Sequence, residues 1–146
     1  MRYTNPNEGL LSFIHKNAAM GVSTIPQTLS LPQSRAMGDA LNSQLREYRS
    51  ITAKAQAYAG AHGKVLHGPG SAARTMSGAM LRAQTALDPS TSRLAELMIR
   101  GSTMGTVQMT RRLHQYAGKA DKELLELGNQ LLRTEERNIQ EMKRFL

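Results

Sequence analysis

Residues 100–109 read RGSTMGTVQM, with Gly101 and Gly105 four positions apart. Both fall in a stripe of Leu94, Met98, Gly101, Gly105, Met109 and Leu113, the spacing of one helix face. A glycine inside a helix costs up to ~1 kcal/mol against alanine. On a core-facing stripe it also removes bulk, so a neighbouring helix can come near. The small-xxx-small spacing is best known from membrane helices. This chain has no unbroken apolar run of ~18 residues, the length a transmembrane helix needs. The stretch reads as close packing in a soluble helical bundle, the alternative being glycines merely tolerated at a surface.

Working outward, Ser90, Thr91 or Ser92 caps this helix, which runs to about residue 117. A tight turn, AGKAD, leads to a last helix over 119–146. Its inner face is Leu124, Gly128, Leu131, Glu135, Asn138 or Ile139, Met142 and Phe145. Towards the N-terminus, a first helix over 6–30 starts at an Asn5 or Asn7 cap with Pro6 in its first turn. Leu10, Ile14, Asn17 or Ala18, Gly21, Ile25 and Leu29 line its inner face. Pro26 lies on that helix and is expected to kink it or end it early. A second helix over 32–60 opens at Pro32 and stops at GAHG, with Met37, Leu41, Leu45, Glu47 or Tyr48, Ile51, Ala55 and Tyr58 inward. Residues 61–90 form a long crossover. HGPG breaks it, and the spacing of Met76, Met80, Ala83 and Leu87 predicts a short extra helix that covers the bundle or contacts a partner.

Composition agrees with an all-α fold. The chain of 146 residues has nine Met, no Trp, two Phe and four Tyr, so the residues that favour strands are scarce. One domain is expected. Cysteine is absent, which excludes disulfides and thiolate metal sites. Ser12, His15, Lys16 and Asn17 interrupt the N-terminal apolar stretch, so it is not a signal peptide, and the expected location is cytoplasmic. The net charge is +8, while residues 117–146 hold six basic and six acidic side chains. A positive field can attract polyanions, but these basic residues stand singly with few aromatics between them. A solvated basic surface is the simpler reading, and nucleic acid is not an expected partner.

The two halves also resemble each other. At an offset of 84, Lys16 matches Arg100, Met20-Gly21 matches Met104-Gly105, Ile25 matches Met109 and Leu29 matches Leu113. At an offset of 88, EYRSI over 47–51 matches EERNI over 135–139, which pairs Glu47 with Glu135. Two hairpins of one design would then pack about a pseudo-twofold axis.

Two helical hairpins joined by a long crossover resemble the ferritin-like four-helix bundle, here of the small bacterial kind, some of which are associated with spores. Metal-binding members carry a Glu on each of two helices and Glu-x-x-His on each of the other two. This chain has Glu47-x-x-Ser50 and Glu135-x-x-Asn138, so both histidines are missing. The resemblance covers residues 8–146 in arrangement and few residues in motif. It implies an up-down bundle of two hairpins. For function it implies a non-catalytic bundle without cofactor that acts by self-association or partner binding, with a homo-oligomer expected. The alternatives are an altered carboxylate metal site built from Glu47, Ser50, Glu135 and Asn138, and a polyanion-binding basic bundle.

Single residues add little chemistry. Glu135 interrupts an apolar stripe, and a buried carboxylate must pair, take up a proton or bind a cation. A polar layer that fixes helix register is the expected role, with Arg49, Arg133 or Arg137 as candidate cations and Tyr48 or Asn138 as candidate hydrogen-bond donors. His15, His62, His67 and His114 lack ligand spacing and read as surface or boundary residues. HGPGS lacks the spacing of a phosphate-binding loop, and no serine stands in a nucleophile motif. Gly21, Gly101, Gly105 and Gly128 are the expected close-packing positions.

Overall fold

A computed structural model describes residues 5–68 and 90–146 of the chain. It contains four helices and, among the described residues, no strand: α1 (Pro6–Leu29), α2 (Arg35–Ala61), α3 (Thr91–Tyr116) and α4 (Lys122–Lys143). The expected short helix over 76–87 lies outside the described residues.

Local chemistry sets the helix ends. The Asn5 side chain accepts from Asn7 N at 2.8 Å and caps α1. Ser34 caps α2 by accepting from Met37 N at 3.1 Å, so α2 opens after Ser34 and not at Pro32. Ser90 caps α3. Pro26 does not end α1, which continues to Leu29. Proline lacks only the one amide donor, and burial of Ile25 and Thr28 on either side holds the last turn in the core. Gly118, at φ +72°, makes the turn between α3 and α4 in the left-handed region that favours glycine.

Two short turns make α1–α2 and α3–α4 antiparallel hairpins. Cross-hairpin contacts give the remaining directions. Between α2 and α4, Gln44 meets Glu141, Tyr48 meets Glu135, Lys54 meets Gln130 and Tyr58 meets Asp121. Rising numbers on one helix pair with falling numbers on the other, so these helices are antiparallel. Between α1 and α3, Phe13 lies under the Arg112 guanidinium, with 5.0 Å between the guanidinium carbon and the ring centroid, and Thr28 approaches Met98. They too are antiparallel. It follows that α2 and α3 run in the same direction. The chain leaves α2 at one pole and enters α3 at the other, where Ser34 N donates to Thr91 Oγ1 at 3.1 Å.

The core is one cluster along the axis, with Leu10, Ile14, Ile25, Met37, Leu41, Ile51, Leu94, Met109, Leu124, Leu131 and Met142 essentially inaccessible to solvent. Coverage is uneven. Ten residues of α2 are buried, but only Leu94, Ala95, Ser102 and Met109 of α3. α3 is the least embedded helix, and this places the site described below.

His15 departs from the expected surface position. It is 3% exposed, and neither ring nitrogen has a hydrogen-bond partner. The turn after α2 explains the burial: Gly63, at φ +65°, turns the chain back, and Leu66 packs on the core. Burial lowers the pKa of the imidazole, and the nearby His67 backbone offsets only part of that. The folded protein thus favours neutral His15, while the unfolded chain takes up its proton near the ordinary value of 6.5. The stability from a neutral His15 is complete above pH 6.5 and is lost as pH falls through 6.5 towards the lowered folded value. Thermal melts between pH 8 and pH 5 are expected to show this decline in the wild type. His15→Gln should flatten it; equal slopes in both proteins would refute the assignment.

Candidate functional site

Helices α1 and α3 part near their middles and leave a cleft of about 370 Å³. Met20, Gly21 and Thr24 of α1 line one wall, and Leu97, Met98, Gly101, Met104 and Gly105 of α3 line the other. Tyr48, Ser102 and Glu135 lie at its base. Of the wall residues Met104 is 63% exposed, and Val107, one turn further along α3 and outside the cleft lining, is 54% exposed. The walls are mostly apolar and the base is polar.

The base is built from three helices. Tyr48 of α2 donates its phenol proton to Glu135 Oε2 of α4 at 2.7 Å. Asn138 Nδ2, one helical turn on, donates to the same phenol oxygen at 3.3 Å. Ser102 of α3 adds a weaker contact to Glu135. Glu135 is only 6% exposed, and no Lys, Arg or His nitrogen among the described residues lies within 4.0 Å of its carboxylate. Burial therefore pushes its pKa up from the ordinary 4.5, and the bonds from Tyr48 and Ser102 offset part of the rise. Burial, followed by the neighbouring carboxylate, holds the Tyr48 phenol well above its ordinary pKa, so it stays a donor.

Glycines roof this base. A Cβ on Gly21 would stand 2.7 Å from the Tyr48 ring, and one on Gly105 would stand 2.8 Å from Glu135 Oε1. Each glycine of the repeated Met-Gly pair thus lies over one member of the Tyr48–Glu135 pair. Gly128 is crowded too, with its Cβ site 2.9 Å from Leu113 Cδ2 and 3.1 Å from Met109 Cε, as is Gly9, whose Cβ site collides with the Tyr116 hydroxyl. Gly101 is different from its expected role. Nothing lies within 4 Å of its Cβ site, because it faces the open cleft and not a packed helix.

The four residues of the alternative carboxylate site are divided between interior and surface. Glu47 takes an ion pair from Arg137 at 3.2 Å, and Ser50 is exposed. Only Glu135 and Asn138 of the four share the interior. Among the described residues no group of three His, Asp or Glu side chains converges on a point that could hold a metal ion. The cause is one residue of register. Identity aligned Glu47 with Glu135 at an offset of 88, but burial aligns Tyr48 with Glu135, an offset of 87. That offset also pairs buried Met37 with Leu124, Leu41 with Gly128 and Ala55 with Met142. Apolar periodicity, weighed above residue identity, decides for Tyr48 over Glu47 as the inward residue.

A second polar group closes the pole where α2 ends and α4 begins. Tyr58 donates to Asp121 Oδ2 and stacks on His62 with ring centroids 4.0 Å apart. Asp121 N donates to Asn7 Oδ1 at 2.6 Å. Burial and the Asp121 bond push the Tyr58 phenol up to about 12, and the same bond holds the Asp121 carboxyl below its ordinary value. Tyr58, Asp121, Asn7 and His62 Nδ1 are bonded to one another or to nearby backbone, so this cluster reads as a structural tie.

No helix among the described residues is long and apolar enough to cross a membrane. No protein-family model matches the chain, and neither the curated proteins nor the solved structures give a match.

Proposed function

We propose that the chain is a non-catalytic bundle of the ferritin-like type that works by binding, and that it binds through the α1–α3 face. One observation carries this reading: an apolar cleft opens beside Met104, a side chain that a monomer would leave in water, and Val107 one turn on along α3 is exposed as well. Contiguous exposed apolar surface marks interaction sites more often than isolated apolar residues do. Paired hairpins with a long crossover support the ferritin-like assignment. The separation of Glu47 from Glu135 supports a binding role over metal chemistry. The first occupant to test is a second copy of the chain, since a face can meet its own copy about a twofold axis.

Size-exclusion chromatography with light scattering, over a concentration series, tests self-association. The wild type is expected to shift from monomer to dimer. Met104→Glu combined with Val107→Lys should remain monomeric with unchanged helical content. A wild type that stays monomeric throughout, or a variant that dimerises equally, would exclude self-association through this face.

A further inference from the structure

We infer that the cleft is a site for a small apolar amine, with an ammonium group paired to Glu135 and an apolar body held between α1 and α3. This deepens the binding reading above and rests on it.

The inference starts from an incomplete charge. Glu135 is a carboxylate almost wholly withdrawn from water, and it lacks a cation partner within 4.0 Å among the described residues. Buried carboxylates are ordinarily paired or take up a proton. Tyr48 occupies Oε2, which leaves Oε1 with acceptor capacity. Oε1 lies against Gly105, where any side chain would collide with it, and Gly105 and Glu135 both line the cleft. Cation and apolar wall are thus offered together: a carboxylate below, with Met20, Leu97, Met98 and Met104 around the opening.

Size narrows the ligand. A cavity of about 150 Å³ takes a benzene-sized molecule, and ligand pockets usually span about 300–1,000 Å³. The cleft, at about 370 Å³, fits one ring with a short alkylamine and is small for a folded partner's helix. Methionine walls suit such a body because their thioethers adapt and contact aromatic rings favourably. A neutral ligand of the same shape would gain the walls and leave the carboxylate unpaired. An anionic ligand would be repelled by it.

The test compares 2-phenylethylamine with 2-phenylethanol by titration calorimetry and ligand-observed NMR at neutral pH. The amine is expected to bind the wild type about tenfold or more tightly than the alcohol, as for a hydrogen bond to a charged group. Glu135→Gln keeps the shape and the Tyr48 bond. It should lose the amine preference and leave alcohol binding little changed. Gly101→Leu places a side chain in open cleft space and should remove both ligands without unfolding the protein. Equal affinity for amine and alcohol, an amine affinity unaffected by Glu135→Gln, or no binding of either at millimolar concentration would each overturn the inference. A dimer that Glu135→Gln disrupts, with no amine binding, would assign the cleft to a second copy and overturn it as well. Self-association is read by light scattering and amine selectivity by titration, so either result can fail alone.

Discussion

Gly21→Ala is expected to destabilise the protein by about 2 kcal/mol, even though alanine is the better helix former. The new Cβ would sit 2.7 Å from Cγ and Cδ2 of Tyr48 and 2.9 Å from Cδ1. An aromatic ring cannot bend away, and this ring is tethered through its hydroxyl to Glu135 and Asn138. Overpacking of this kind costs ~1–3 kcal/mol, against a helix gain of at most ~1 kcal/mol. Displacing the ring would also weaken its bond to Glu135, so the larger end of that range applies. Two neighbouring glycines serve as internal controls. Gly105→Ala meets a carboxylate oxygen at the end of a side chain that can yield, and should cost about 1 kcal/mol. Gly101→Ala meets nothing and should stabilise by ~0.5–1 kcal/mol. Urea unfolding of the three variants checks the order: Gly101→Ala above wild type, then Gly105→Ala, then Gly21→Ala. A stabilised Gly21→Ala would show that α1 does not press on Tyr48.

The second large effect concerns Tyr48→Phe. The variant removes one hydroxyl from a largely buried pair, and Glu135 loses its strongest hydrogen bond. Hydrogen bonds to charged groups contribute ~1.5–3 kcal/mol, so a loss of about 2 kcal/mol is expected at pH 7. That is roughly 6 °C in melting temperature for a chain of this size. The loss should shrink at pH 4, where Glu135 carries a proton in folded and unfolded chains alike. Glu135→Gln gives the complementary result, and its sign follows from linkage. The folded pKa of Glu135 is raised, so its favourable contribution is complete below the unfolded value of 4.5 and is lost as pH rises through the folded value. The Gln variant does not titrate. It should exceed wild type in stability at neutral pH and approach it near pH 4. A Glu135→Gln protein less stable than wild type at pH 7 would mean that the carboxylate has a compensating cation after all.

Much of the architecture was legible in the sequence because it rests on repetition. Leu10, Ile14, Ala18 and Ile25 recur on one helix face, as do Met37, Leu41, Tyr48, Ile51 and Ala55, and these residues are buried. Caps at Asn5 and Ser90 are local hydrogen bonds that a few residues determine, while the expected start at Pro32 passed over the Ser34 cap. The site was only half legible. Glu135 stood out as a charge on an apolar stripe with Tyr48 as a candidate donor, and the cleft above the pair did not. Neighbours on a helix differ by about 100° in direction, so choosing Glu47 over Tyr48 exchanged an outward ion pair for the buried donor. His15 was misread for a similar reason: its burial comes from a chain segment some fifty residues away, which no local pattern reports. Gly101 and Gly105 share one stripe, yet α3 is embedded on one side only, and a stripe cannot show where its neighbour ends.

One pole of the bundle is clasped by several polar ties at once: Tyr58–Asp121, Asp121–Asn7, Lys64–Glu8 and the ring stack of Tyr58 on His62. Local opening is rare where many bonds must break together. The end of α2 and the start of α4 are thus expected to stay joined while the bundle fluctuates elsewhere.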